Sequence, residues 1–139
     1  DLRALVTALR MGSDLERMGD LSNHVAKVAR LRHPNAAVPP ELVAIIQAMG
    51  VAAVAITEKT GVVIATRNTE MALEIERDDD VMDDLHRKLI AVLIEPTWKH
   101  GIETAIDLTL LGRYYERYAD HAVSISRRVY FLVTGEYAS

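Results

Sequence analysis

The stretch GSDLERMGD at residues 12–20 returns one hundred residues later as GRYYERYAD at residues 112–120. This offset sets Gly12 on Gly112, Glu16 on Glu116, Arg17 on Arg117 and Asp20 on Asp120. Four identities in nine positions are few, but they fall on residues with particular physical roles. A glycine stands one helical turn before an acid, and a second acid follows one turn later. A segment repeated at a fixed offset implies a duplicated unit, so this chain must build one kind of helix twice. Only the end of the first unit precedes the second.

The periodicity around both copies is helical. In the first segment, to about Arg32, Leu2, Leu5, Leu9, Gly12, Leu15, Gly19, Ser22, Ala26 and Ala29 recur at three- and four-residue steps and form one face. Arg30, Arg32 and His33 sit where positive charge suits the end of a helix, and Pro34-Asn35 breaks it. A linker over residues 33–38 leads to Pro39-Pro40-Glu41, suited to an opening turn. A second helix is predicted from about Pro40 to Thr66, with Leu42, Ile45, Ile46, Met49, Ala53 and Ile56 inward. Residues 60–66, TGVVIAT, have strand-like composition, and Gly61 costs a helix about 1 kcal/mol relative to Ala. Helix is still predicted, since a strand here has no partner elsewhere in the chain. Asn68 or Thr69 caps a third helix over 69–93, with Ala72, Ile75, Val81 or Met82, Leu85, Leu89 and Val92 or Leu93 inward. Pro96 ends it, and a last helix runs from Thr97 to about Thr134, with Gly135 as its stop. The fold class is therefore all-α: four long helices with short connections, antiparallel neighbours in an up-down bundle.

Composition narrows the function classes. A net charge of −4 argues against a nucleic-acid binder, which needs a basic stripe. The absence of cysteine rules out disulfides and thiolate metal sites, and it suits the cytoplasm. No window of about 18 uncharged apolar residues is found, so no transmembrane segment is expected. The first residues show no signal-peptide pattern, lack an initiator Met and begin inside a helical period, so the chain is expected to be part of a longer protein.

The chemistry lies in the acids. At i,i+4 spacing, Glu16/Asp20 and Glu116/Asp120 each place two carboxylates on one helix face about 5–6 Å apart. Gly12 and Gly112 lie one turn earlier on the same side, where a missing side chain admits a neighbouring helix. The run Asp78-Asp79-Asp80-Val81-Met82-Asp83-Asp84 supplies two pairs at the same spacing, Asp79/Asp83 and Asp80/Asp84. Packing the third helix beside the fourth brings four carboxylates together, and hard or borderline divalent cations take such oxygens. The same acids also read as plain surface pairs, Arg17 with Asp20, Arg113 with Glu116, Arg117 with Asp120 and Asp84 with Lys88, worth about 0–1 kcal/mol each. Di-iron bundles use Glu-x-x-His; Asp83-x-x-His86 is the nearest approach here, and no phosphate loop or nucleophilic arrangement is present. A carboxylate-bridged metalloenzyme and a metal-free helical scaffold stand as the alternatives.

The stretches DLERMGDLSNHVAKVARLRHP, ERDDDVMDDLHRKL and LLGRYYERYADHAVSISRRVYFLVTGE resemble the PhoU family of phosphate-signalling regulators. In that family each of two three-helix bundles carries E/D-x-x-x-D motifs on two helices. The resemblance covers essentially the whole chain. It implies that residues 1–33 are the last helix of a first repeat lacking its other two helices, and that 39–135 are a complete second repeat. It maps the metal positions onto Asp79, Asp83, Glu116 and Asp120, with Glu16 and Asp20 as the copy whose partner helix is absent. The metal implied is iron, zinc or magnesium. The family often has Asn one turn after the motif's Asp; here His24 and Ser124 stand there, and His24 reads as a ligand or, more simply, as an interhelical side chain. The resemblance further implies a cytoplasmic, non-enzymatic negative regulator. Its expected partners are the ATPase subunit of the phosphate ABC transporter and a sensor histidine kinase. The apolar face of the first helix (Leu2, Leu5, Val6, Leu9, Met18, Val25, Val28) must be covered by the second bundle or by another copy of the chain, and a homodimer is expected.

Overall fold

A computed structural model describes residues 1–33 and 36–136. Four helices account for nearly all of them: α1 (Leu2–Leu31), α2 (Val43–Thr66), α3 (Thr69–Leu93) and α4 (Gly101–Thr134), with a 3-10 turn at Pro40–Leu42. The predicted break at Pro34-Asn35 lies outside the described residues.

The ends follow local chemistry. The Asp1 carboxylate accepts from the Arg3 amide at 3.1 Å and caps α1. Asn68 caps α3 by accepting from Met71 N–H at 3.0 Å. Between α2 and α3, Arg67 takes a left-handed conformation (φ 57°), which lets the chain reverse within two residues. Gly135 closes α4 with φ 79°. Helix α2 runs unbroken through Gly61 and the valines that follow, so tertiary packing overrides their strand-like composition. Two boundaries differ from expectation. Pro40–Leu42 is a 3-10 turn rather than the first turn of α2. Helix α4 begins at Gly101 rather than Thr97, because Trp98 N–H bonds back to Glu95 C=O in a turn and the Trp98 indole donates to Gly101 C=O.

Helices α2, α3 and α4 form an up-down-up three-helix bundle, and α1 lies antiparallel along the far side of α4. Leu42, Met49, Ile56, Val63, Ala72, Ile75, Met82, Leu89, Leu108, Ile125 and Val129 make its dry core. Of the alternatives Val81 and Met82, Met82 takes the inward place and Val81 is 54% exposed. Helix α2 is long and apolar enough to cross a membrane by length and composition. Its Met49, Ala53, Ile56, Thr60 and Val63 nevertheless face the other helices.

The largest departure concerns α1. Its docked side is Thr7, Met11, Asp14, Met18, Leu21, Val25 and Val28, not the periodic face read from the sequence. Gly12, Gly19, Ser22, Ala26 and Ala29 are exposed, whereas their repeat mates Gly112, Ala119, Ala122, Ser126 and Val129 are all buried. The reason is neighbour number: α4 packs against three helices and α1 against one. Met18, Val25 and Val28 are thus covered by the second bundle, as expected, while Leu2, Leu5 and Leu9 remain 58–75% exposed.

Candidate functional site

The antiparallel contact of α3 and α4 brings Asp79 and Asp83 opposite Asp120 and Glu116. Gly112 makes that approach possible. A Cβ added there would stand 2.7 Å from Leu89 Cδ2 and 3.1 Å from His86 Cδ2. Its mate Gly12 has nothing within 4 Å.

Asp79 is the centre of the group. Its Oδ1 is sealed from solvent and has no hydrogen-bond partner. Burial pushes its carboxyl up to about 7, and the nearby charges of Asp83, Asp120, Asp80 and Glu116 push in the same direction. The Asp120 carboxyl is also raised, by burial and then by Glu116 and Asp83, against the opposing pull of Arg113 and Arg117. Glu116 is flanked on both oxygens: Oε2 lies 2.7 Å from His86 Nδ1, and Oε1 pairs with Arg113. Of the surface pairs expected from sequence, Arg113–Glu116 is present, while Asp84 pairs with Arg87 rather than Lys88. Among the described residues no three of these donors converge in ligating geometry. Mutual repulsion keeps carboxylates apart unless a cation or a shared proton neutralises them. The orphaned Asp79 Oδ1 and the wholly oxygen-rich donor set fit a hard or borderline cation. Glu16 and Asp20 lie apart from this group, on the open face of α1.

Two features are not legible in the sequence. His86 reads there only as part of an Asp-x-x-His spacing, and its contact with Glu116 depends on the register of α3 against α4. The second is a polar hub between α1 and α4. Asp14, 8% exposed, accepts from His121 Nδ1 (2.9 Å), Ser124 Oγ (3.0 Å) and Arg128 Nε (3.3 Å). A residue pattern sees Asp14 only as one more polar position on α1. Of the two residues standing in the family's Asn position, Ser124 serves this hub, and His24 stacks on Tyr114 at 5.1 Å between ring centres, the interhelical role. Arg32, just past the end of α1, grips Asp107 through Nε (2.5 Å) and Nη2 (3.1 Å), and Glu103 through Nη1 (2.6 Å). A groove of about 380 Å³ lined by Leu21, Val25, Val54, Tyr114 and Tyr118 lies between α1, α2 and α4. It is apart from the acids and holds Glu58 as its one carboxylate.

The PhoU domain model matches residues 46–129, most of the three-helix bundle. The chain belongs to the PhoU family. It is 49% identical over 137 residues to "Phosphate-specific transport system accessory protein PhoU homolog 2" of Mycobacterium tuberculosis, covering 99% of this chain and 64% of that protein. It is 47% identical to PhoU homolog 1 of Mycobacterium leprae, covering 99% and 62%. With PhoU homolog 1 of Methanothermobacter thermautotrophicus the identity is 29%, over 98% of this chain and 63% of the relative. The chain thus spans a little under two thirds of the length of these relatives. No solved structure matches it.

Proposed function

We propose that this chain acts as a PhoU-like, non-enzymatic negative regulator of phosphate uptake and of the phosphate-starvation response. It works in the cytoplasm, linking the ATPase subunit of a phosphate ABC transporter to a sensor histidine kinase. The relatives' names, accessory proteins of a phosphate-specific transport system, support the first half of this reading. Capture of the transporter ATPase and the kinase by the full-length protein, with and without phosphate, tests the second. Recovery of neither partner in either condition would sink it.

The proposal includes a metal on the α3/α4 face, and the observation that carries it is Asp79. A fully sealed carboxylate oxygen without a donor, with four other acids nearby, is costly unless a cation or a proton neutralises it. Asp79, Asp83, Glu116 and Asp120 would hold the cation, with iron, zinc and magnesium as candidates. Its positive charge would draw α3 and α4 together and set the shape of the surface offered to a partner. Glu16 and Asp20, exposed on α1, form the incomplete copy of the site. Metal analysis of the purified protein and of an Asp79→Ala, Glu116→Ala double variant tests this. A protein that takes up no metal favours a second reading, a metal-free helical scaffold, which the flanking of Glu116 by His86 and Arg113 supports. A homodimer through the bare leucines of α1 completes the proposal, and the molar mass in solution decides it.

A further inference from the structure

We infer that the outer face of α2 is a docking seam for the same helix of a second copy of this chain, packed antiparallel. The seam is Ala44, Gln47, Val51, Val54, Glu58 and Gly61, which follow one another at alternating steps of three and four residues. That alternation is the a/d repeat of a coiled coil, and it sets the six on one narrow stripe of the helix. The bundle leaves all six exposed, Val51 at 70% and Val54 at 60%, while Met49, Ala53, Ile56 and Val63 on the opposite side fill the core. Helix α2 therefore carries two apolar faces, and its own bundle uses one. Contact through this seam does not involve the leucines of α1, and it rests on neither the metal nor the phosphate reading.

The occupant follows from the symmetry of the pattern. The midpoint of the seam lies between Ala52 and Ala53. An antiparallel copy centred there lays Val51 against Val54, Ala44 against Gly61 and Gln47 against Glu58, each layer occurring twice. The two polar residues of the seam thus become partners, an amide donating to a carboxylate at both ends of the contact. Parallel packing would set Glu58 against Glu58, and a slip of one heptad would set Glu58 or Gln47 against a valine. The polar pair therefore selects one orientation and one register. Gly61 is a second, independent observation. A Cβ there would meet nothing within 4 Å among the described residues, yet glycine inside a helix costs stability. Opposite Ala44 of a second copy, the missing side chain lets the two backbones approach closely. Lys59, the one cation of α2, is turned to Glu74 (3.4 Å) and Asp78 (2.8 Å) of α3 and leaves the seam clear.

Sedimentation equilibrium of the chain tests this with wild type, Gln47→Glu and the double variant Gln47→Glu, Glu58→Lys. Positions 47 and 58 stand about 16 Å apart along one helix, too far to pair within a chain, so any rescue acts between copies. Gln47→Glu opposes two carboxylates at both ends of the seam and is expected to weaken association about tenfold or more. The double variant converts that repulsion into two ion pairs and is expected to restore wild-type association. The natural chain holds no cysteine, so Val51→Cys and Val54→Cys chains can be mixed under mild oxidation. The mixed 51–54 disulfide is expected to form faster than the 51–51 or 54–54 one. A monomeric wild type overturns the inference, as does Gln47→Glu associating like wild type or a double variant no better than Gln47→Glu. A 51–51 disulfide forming faster than the mixed one overturns the antiparallel register. Leu5→Cys reports α1 separately: a disulfide there, with association unmoved by Gln47→Glu, leaves the α1 contact standing and overturns this one.

Discussion

Replacing Asp79 with Asn removes the charge at the centre of the acid cluster while keeping its shape. In the folded protein the Asp79 carboxyl titrates at about 7, against about 4 in an unfolded chain. The folded state therefore holds a proton that the unfolded state releases between these two values. By linkage, the stability contributed by that proton is fully present below about pH 4 and is lost as pH rises through 7. Three pH units correspond to a ceiling of ~4 kcal/mol. Partial access of solvent to the cluster reduces this to roughly 2 kcal/mol. In metal-free buffer the wild-type protein is thus expected to be more stable at pH 5 than at pH 8. Asp79→Asn is expected to be about 2 kcal/mol more stable than wild type at pH 8, with most of that gain absent near pH 4. Urea denaturation across pH 4–8, with a chelator present, reads this as a shift in midpoint at constant slope. If Asp79→Asn is less stable than wild type at pH 8, Asp79 has an ionised-state partner and the cluster is not self-repelling. The argument for a cation then loses its basis.

Three further outcomes follow from named contacts. Gly12→Ala, with open space at the added methyl, is expected to stabilise by up to about 1 kcal/mol, whereas Gly112→Ala, 2.7 Å from buried Leu89, destabilises by about 1–2 kcal/mol in the same thermal assay. Zn²⁺ at about one hundred times its Kd is expected to stabilise the wild type by ~2.7 kcal/mol, seen as a raised Tm, and to leave Glu116→Gln nearly unchanged. Asp14→Ala, which strands His121, Ser124 and Arg128 at the α1/α4 contact, is expected to cost about 2–3 kcal/mol by urea denaturation, and His121→Ala less.

Most of the architecture was legible because helix periodicity and end signals are local. Asn68 and Gly135 act within a few residues of themselves, and α3 and the end of α4 stand where those signals put them. The acid pairs were legible for the same reason, since i,i+4 spacing fixes a shared face without tertiary information. What the sequence did not disclose depends on which helix meets which. The face of α1 carrying Gly12 and Gly19 has the same pattern as the buried face of α4, yet it is open because no third helix lies over it here. Pattern encodes a face fit for burial; the number of neighbours decides whether it is buried. The α4 start was misplaced because Pro96 signals a break, whereas the Trp98 turn that delays the helix rests on an indole contact with Gly101. His86 and Asp14 were passed over because each gains its meaning from a partner on another helix.

The contact between α1 and α4 links the repeat to the site. Asp14 faces Ser124, and His24 stacks on Tyr114. These four positions are repeat mates taken crosswise, since 14 matches 114 and 24 matches 124. Two copies of one helix packed antiparallel produce this relation when each meets the other with the same face, as in an isologous interface. The chemistry of the two halves differs. One half is the charged hub of Asp14, His121, Ser124 and Arg128; the other stacks His24 on Tyr114 beside Val28 and Leu110 and ends in the Arg32–Asp107 ion pair. A wholly apolar contact between two helices of the same small-residue pattern would tolerate sliding by one turn. A buried carboxylate with three donors does not, because a slide of one turn leaves it without them. The hub therefore fixes register, and it does so from the residue next to Asp120. His121 grips α1 while Asp120 faces the acids of α3, so a shift of α4 on either side moves both contacts together.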